Sequence, residues 1–305
     1  MRVFVAGGSG VLGRRLVPQL VARGHEVTAT TTSEAKLGLL RRLGAEGVVM
    51  DGLDAASVGE VVAAARPDVI VNQMTALSAA HAGKPNLRRA DRFFAITNRL
   101  RTEGNDNLLA AAEAAGVARF IAQGHASMNG GRSGGWVKTE EDPLEVVEGT
   151  TAINHLEDVV VAAGGTVLRY GGFYGPGAND DQVDLVRKGL LPLVGDGTGY
   201  FSWVHLDDAA CATVLAVEQE VKGVFNIVDD DPAPVSEWLP YLATCAGARP
   251  PRRVPAWLAR LLAGRMAVEM MTEGHAFSNA KAKRELGWEL RYPSWRQGFM
   301  AELAA

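Results

Sequence analysis

From Arg2 to about Ala122, short apolar runs alternate with longer stretches of helical period, a pattern that predicts parallel strands joined by crossover helices. Five runs read as strands: VFVAG at 3–7, HEVTAT at 25–30, GVVM at 47–50, DVIVN at 68–72 and RFIAQ at 119–123. Helices are expected between them near 11–23, 34–43, 54–65 and 98–115, and GTVLRY at 165–170 and GVFNIV at 223–228 read as two further strands. Right-handed crossovers turn such a string into an α/β fold, a doubly wound parallel sheet of order 3-2-1-4-5-6-7.

The pattern breaks twice. Residues 171–199 are rich in Gly, Pro and Asp and read as an excursion carrying one helix near 183–188. After Val228, prolines at 232, 234, 240, 250, 251 and 255 punctuate short helical stretches such as SEWLPYLATCAG. The expected organisation is therefore a nucleotide-binding domain of 1–170 plus 200–228 and a small C-terminal α/β substrate lobe of 171–199 plus 229–305. Met266, Met270 and Met271 recur at helical spacing in that lobe, which is how core positions recur, with an apolar substrate pocket as the alternative.

Composition narrows the function classes. With 305 residues, 47% hydrophobic, and a formal net charge of −4, the chain buries a sizeable core and carries no large basic field. Nucleic acid and anionic membranes are not expected partners. Cys211 and Cys245 are the only thiols, without the spacing of a disulfide framework or a zinc site, so no metal is expected. The sequence opens on MRVFVAGG without a leader pattern, and no run approaches the roughly 18 apolar residues of a membrane span, so a cytoplasmic location is expected.

The first strand runs into GGSGVLGRRL, where Gly7, Gly10 and Gly13 are spaced Gly-x-x-Gly-x-x-Gly. Glycine is required where the backbone turns tightly and where a pyrophosphate approaches the amides, and the following helix N-terminus favours negative charge. Its position between an apolar strand and the amphipathic run VLGRRLVPQLVARG makes the triplet a dinucleotide loop. Gly7, Ser9, Gly10, Val11, Leu12, Gly13 and Arg14 are its expected contacts. About 20 residues on, where a carboxylate selects the 2′-hydroxyl of NAD, the chain has Thr30, Thr31, Thr32 and Ser33. Neutral hydroxyls admit a 2′-phosphate, and Arg14 or Lys36 can pair with it, so NADP is preferred, while Glu34 keeps NAD open. Asp51 ends the third strand, where its carboxylate is expected to accept the adenine amino group, an ordinary loop aspartate being the alternative, and Gly52 beside it is an expected cofactor contact.

Together with that loop, VVMDGLD, PDVIVNQMT, EGNDNLLAAAEAAGVARFI, VLRYGGFYGPG, FSWVHLDDAA and KRELGW resemble, in order, the extended short-chain dehydrogenase/reductase family of the NAD-dependent epimerase/dehydratase type. The resemblance spans nearly the whole chain. It implies a Rossmann domain, a small substrate lobe, a nicotinamide cofactor also contacted by Gln73, Met74, Thr75, Tyr170 and Phe173, and often a homodimer built on two helices per subunit.

The family's acid/base set is a serine or threonine after the fifth strand and a Tyr-x-x-x-Lys pair on the next helix, which in this chain falls on EGTTAINHLEDVV. Anchored on Glu157, the lysine position holds Ile153 and the tyrosine position Gly149, neither of which moves protons. A register that sets Thr151 and His155 at that spacing shifts the helix by two residues against the well-matched VLRYGGFYGPG, and Ile153 and His155 stand about 200° apart around a helix. His155 is therefore expected at the edge of the buried face or outside it.

His125 aligns with the family's serine position, at the carboxyl end of a central strand, and an imidazole titrating near 6.5 can work without a lysine. His125, Ser127 and Tyr174 are the candidate acid/base residues, with Ser127, Asn129, Thr150 and Thr151 as hydrogen-bonding groups for a substrate oxygen. Tyr170 or Tyr174 is a candidate displaced phenol. Arg101 stands about where the family often has an asparagine of a proton relay, and an aspartate cap accounts for His205, Asp207 and Asp208. These features predict an atypical NAD(P)-dependent oxidoreductase, epimerase or dehydratase acting on a small hydroxy or keto compound. The alternatives are a non-catalytic NADP(H)-binding redox sensor and a non-redox lyase or isomerase with a structural nucleotide.

Overall fold

A computed structural model describes residues 1–77, 90–126, 135–142 and 150–303. Seven parallel strands form the central sheet: β1 (Arg2–Ala6), β2 (Glu26–Thr31), β3 (Glu46–Val49), β4 (Val69–Asn72), β5 (Arg119–His125), β6 (Thr166–Tyr170) and β7 (Gly223–Ile227). Their spatial order is 3-2-1-4-5-6-7, the doubly wound Rossmann arrangement expected from the sequence. In the registers, Val3 lies between Val27 and Val69, Ile70 pairs Phe120, and Gln123 pairs Leu168.

The central strands are apolar throughout because both faces are covered. Side chains alternate between two cores. One face sends Val3, Val5, Val69, Val71, Ile121 and Leu168 against α1 (Gly13–Ala22) and α8 (Leu206–Glu218). The opposite face sends Phe4, Ala6, Ile70, Phe120 and Val167 against α3 (Ala55–Ala65), α5 (Asn105–Ala114) and α6 (Thr151–Ala162). Asp54 starts α3 by accepting the amides of Ala56 and Ser57 at 3.0 and 3.3 Å, a side-chain N-cap.

Two helices depart from expectation. The stretch at 34–43 is a 3-10 turn, Glu34–Lys36, followed by the short α2 (Leu37–Arg42). The helix expected from residue 98 is already present at Ala90, the first described residue of α4 (Ala90–Arg99), widens into a π turn at Leu100–Gly104 and continues as α5. Its first part escaped the pattern because Thr97 is its one buried residue, and Ile96 is 45% exposed.

After β6 the strand Gly172–Tyr174 pairs in parallel with Trp203–His205, and α7 (Asp180–Arg187) follows. Tyr174, Val183, Val186, Leu193 and Trp203 meet Trp238, Leu239 and Leu242 of α9 (Val235–Cys245) and Trp295 and Phe299 of the final helix in a third apolar cluster. The expected aspartate cap of α8 is corrected: the imidazole of His205 accepts the Asp207 amide at 3.1 Å. Asp208 is buried and accepts the amides of Arg291 and Tyr292 at 2.8 and 2.9 Å, tying the C-terminal segment to the sheet layer. Cys211 and Cys245 are free thiols. Among the described residues no helix is long and apolar enough to cross a membrane.

Candidate functional site

The dinucleotide loop joins β1 to α1. Gly7 has φ +83°, and a Cβ there would lie 2.8 Å from the Gln73 carbonyl oxygen, so only glycine permits both the backbone turn and the approach of the segment after β4. A Cβ on Gly10 would sit 3.1 Å from the Gly7 carbonyl oxygen, and Gly13 packs directly on the Gly8 backbone. Hydrogen bonds hold this shape: Gly10 N–H donates to Gly7 O at 3.0 Å, and Gly7 N–H to Thr30 Oγ1 at 3.0 Å. The helical ladder begins only with Arg14 N–H on Gly10 O, so the amides of Val11, Leu12 and Gly13 precede it. A closed turn without side chains, followed by helix amides outside the ladder, fits a pyrophosphate.

At the carboxyl end of β2, Thr30 and Thr31 are buried and Thr32 is exposed. Thr31 Oγ1 accepts from the Ser9 hydroxyl at 3.1 Å and the Ser33 amide at 3.3 Å. Among the described residues no carboxylate is drawn into that corner; Glu34 is exposed in the turn beyond. The exposed Arg14 is steadied by its Nε donating to Ser9 O at 3.1 Å and makes no ion pair among the described residues. After β3, Asp51 accepts the Leu53 amide at 2.9 Å in an exposed turn, and a Cβ on the buried Gly52 would meet Met74 Sδ at 2.5 Å. Gln73, Met74 and Thr75 follow β4. The Asn72 side chain accepts the Met74 amide at 3.1 Å and donates to Asn105 Oδ1 at 3.0 Å, locking that loop to α5.

Two of the expected phenols are spent in the interior. Tyr170 is 1% exposed; its hydroxyl lies 2.6 Å from Thr213 Oγ1 and accepts from Gln73 Nε2 at 3.4 Å, while its ring stacks 5.3 Å from that of Phe173. Burial pushes its pKa upward. Tyr174 has no exposure; its ring lies among His205, Phe299 and Trp203, and its hydroxyl has no hydrogen-bond partner among the described residues. Burial and the carboxylates of Asp229 and Asp208 raise its pKa as well.

His125 ends β5 and is half-buried. Its Nδ1–H donates to the Tyr170 carbonyl at 3.0 Å, leaving Nε2 as the lone-pair nitrogen of a neutral ring. Burial, then the positive charge of Arg101, lower its pKa to about 4. It is therefore neutral at pH 7 and a weak base.

On α6, Ala152, Ile153, Leu156 and Val160 face the sheet, so the family's lysine position is filled by a buried isoleucine. His155 lies on the outer side, its Nε2–H on the Asp106 carboxylate at 3.0 Å. Glu157, the anchor of the alignment, pairs in the interior with Arg169 of β6. Thr150 is buried ahead of the helix and Thr151 is exposed. Ser127, Asn129 and Gly149 lie outside the described residues.

Sequence reasoning missed the buried Asn72–Asn105 link, the Thr213 partner of Tyr170 and the π turn that carries Arg101. Only the first had a signal, the carboxamide of Asn72 ending an otherwise apolar strand.

A model of the NAD-dependent epimerase/dehydratase family matches residues 3–228. The chain belongs to that family. It is similar, at 41% identity over 99% of its length and 100% of the relative's, to a 3-diazoavenalumate denitrifying reductase of a Streptomyces species. Among solved structures it resembles UDP-glucose 4-epimerase of Thermotoga maritima with UDP-glucose, at TM-score 0.79 and 22% identity over 99% of this chain and 97% of the other. It also resembles the human epimerase family protein SDR39U1 with NADPH, at TM-score 0.76 and 22% identity over 100% and 99%. As a member of the family the protein is an NAD(P)-dependent enzyme of the oxidoreductase and epimerase kind, acting on a small molecule.

Proposed function

We propose that the protein is an NADPH-dependent reductase that removes the nitrogen of an aromatic diazo carboxylate. The observation that carries this reading is the contrast within the site. The dinucleotide loop is complete, whereas Ile153 fills the lysine position and His125, at the carboxyl end of β5, is neutral at working pH. Reduction of a carbonyl needs a proton for the oxygen, and general acid/base help is worth about 10² to 10⁴ in rate. Reductive loss of nitrogen from a diazonium needs none.

The residues that would hold the cofactor are Gly7 to Arg14 at the pyrophosphate, Thr31, Thr32 and Arg14 at the adenosine ribose, and Asp51 and Gly52 at the adenine. When bound, its reduced form supplies a hydride: on a diazonium carbon a C–H bond forms as the C–N bond breaks, N2 leaves with that electron pair, and charge and atoms balance. An aliphatic diazonium loses nitrogen unaided, so an enzyme is needed only for an aromatic one. The similarity to a diazo-acting reductase along both full lengths supports the same class here.

In this reading, the chain's task is to position rather than to protonate. The Gln73–Tyr170–Thr213 link keeps β4, β6 and α8 in register beneath the site. His125, fixed on the Tyr170 carbonyl, offers an uncharged wall that does not repel a cationic diazonium. We assign residues 171–199 and 229–305 to the substrate lobe. NADPH is preferred over NADH because the β2 end presents hydroxyls and an unpaired Arg14.

The test is anaerobic turnover of NADPH with an aromatic diazonium carboxylate and, in parallel, a panel of ketones. One N2 released per NADPH oxidised, well above the enzyme-free rate, is the expected result. Ketone reduction without nitrogen release would sink the reading.

A further inference from the structure

Arg101 has no partner among the described residues. It lies in the π turn Leu100–Gly104, it is half-buried, and among the described residues its guanidinium makes neither a hydrogen bond nor an ion pair. Its neighbours in the chain behave otherwise: Arg99 is bound through Nε and Nη2 to Glu103 at 2.9 and 2.7 Å. The buried Arg169 likewise has Glu157. Withdrawing a guanidinium from water without an anion is unfavourable, so a fold keeps one where a ligand completes it.

The π turn also sits in a telling place. A Cβ on Gly104 would lie 3.2 Å from the Gly52 carbonyl oxygen, and Leu100 Cδ2 would lie 3.3 Å from a Cβ on Gly52, so the turn packs on the loops at the carboxyl ends of β3 and β4. That is the end of the sheet where such folds bind ligands. The inserted turn departs from regular helix there, as π turns often do at functional sites. Arg101 is also near enough to His125 for its charge to act on the imidazole.

We propose that Arg101 is the receptor for the substrate's carboxylate, binding it through the guanidinium fork beside His125. The assignment deepens the diazo carboxylate reading and rests on it for the choice of carboxylate among anions. A planar fork is matched to a planar carboxylate, and it sets the orientation of the ring that carries the reacting carbon.

The test uses probes that carry no diazo group, so its outcome is separate from that of nitrogen release. Binding of 4-hydroxycinnamate and of its neutral amide to the NADP-loaded protein is measured by calorimetry for the wild type, Arg101→Gln and Arg101→Lys. The wild type is expected to favour the carboxylate by about tenfold to a hundredfold. Arg101→Gln should lose that preference, Arg101→Lys should keep part of it, and NADP affinity should stay unchanged in both, which reports an intact fold. Equal affinity of the wild type for the two probes, or a preference that survives in Arg101→Gln, overturns the proposal. Were Arg101→Gln to fail to fold, the wild-type comparison and Arg101→Lys decide it by the same criteria.

Discussion

The two ends of the site diverge. Between β1 and β2, each position is used as the family pattern requires: Gly7 at positive φ against Gln73, Gly13 packed on Gly8, and hydroxyls closing the loop on β2. On β5 and α6, an isoleucine of the helix is buried, an imidazole is held neutral on a backbone carbonyl, and the next histidine is turned outward onto Asp106. In the proposed reading the first region holds the hydride donor and the second positions the substrate without delivering a proton; the two tasks are then separable on one fold, because function resides in the site rather than the architecture.

The largest effect is expected at the conserved-geometry end. Gly7→Val places a branched side chain at φ +83° and drives Cβ to 2.8 Å from the Gln73 carbonyl oxygen. NADPH affinity measured by fluorescence titration should fall by about a hundredfold or more, with about 1–3 kcal/mol of backbone strain added. Retained affinity would mean that the loop is not the pyrophosphate cradle.

Next in size is the interior support of the emptied end. Glu157→Ala leaves Arg169, whose side chain is 3% exposed, without its carboxylate. Urea unfolding should show a loss of about 3–5 kcal/mol, the range for a buried pair broken on one side. A loss under 1 kcal/mol would show that the pair is wetter than its burial implies.

His125 tests the same region through pH. Its folded pKa of about 4 lies below the ordinary 6.5, so the folded state binds fewer protons than the unfolded one between those values. The associated stability is complete above pH 6.5 and is lost as pH falls towards 4. His125→Gln removes a titrating group while keeping a neutral side chain. Between pH 7 and pH 4, the wild type should therefore lose about 3 kcal/mol more than the variant. Parallel stability curves would show that the ring titrates normally.

The smallest effect is expected outside the site. His155→Ala breaks a partly exposed pair with Asp106 and should cost under about 1 kcal/mol, with turnover unchanged. A tenfold loss of turnover would return His155 to the reaction.

The strand order and the dinucleotide loop were legible in the sequence because both depend on local signals, apolar runs of strand length and glycines where side chains cannot fit. The absence of a lysine at Ile153 was legible for the same reason: residue type alone excludes proton transfer. What could not be read is pairing at long range. That Tyr170 spends its hydroxyl on Thr213, or that Arg101 has no partner among the described residues while Arg99 has Glu103, depends on which elements meet in space. The cap of α8 was misassigned for a related reason. Asp208 is the better capping residue by propensity, but it is drawn into bonds with Arg291 and Tyr292, and His205 takes the role.

The central claim is hydride transfer without proton delivery to a substrate oxygen. It is tested most directly by turning over an aromatic diazonium carboxylate with NADPH deuterated at the nicotinamide 4-position in ordinary water, and with unlabelled NADPH in deuterium oxide. The account predicts deuterium on the carbon that bore nitrogen in the first experiment only, with a solvent isotope effect on turnover of about 1. Label arriving from solvent, or a solvent isotope effect of about 2 or more, would contradict it.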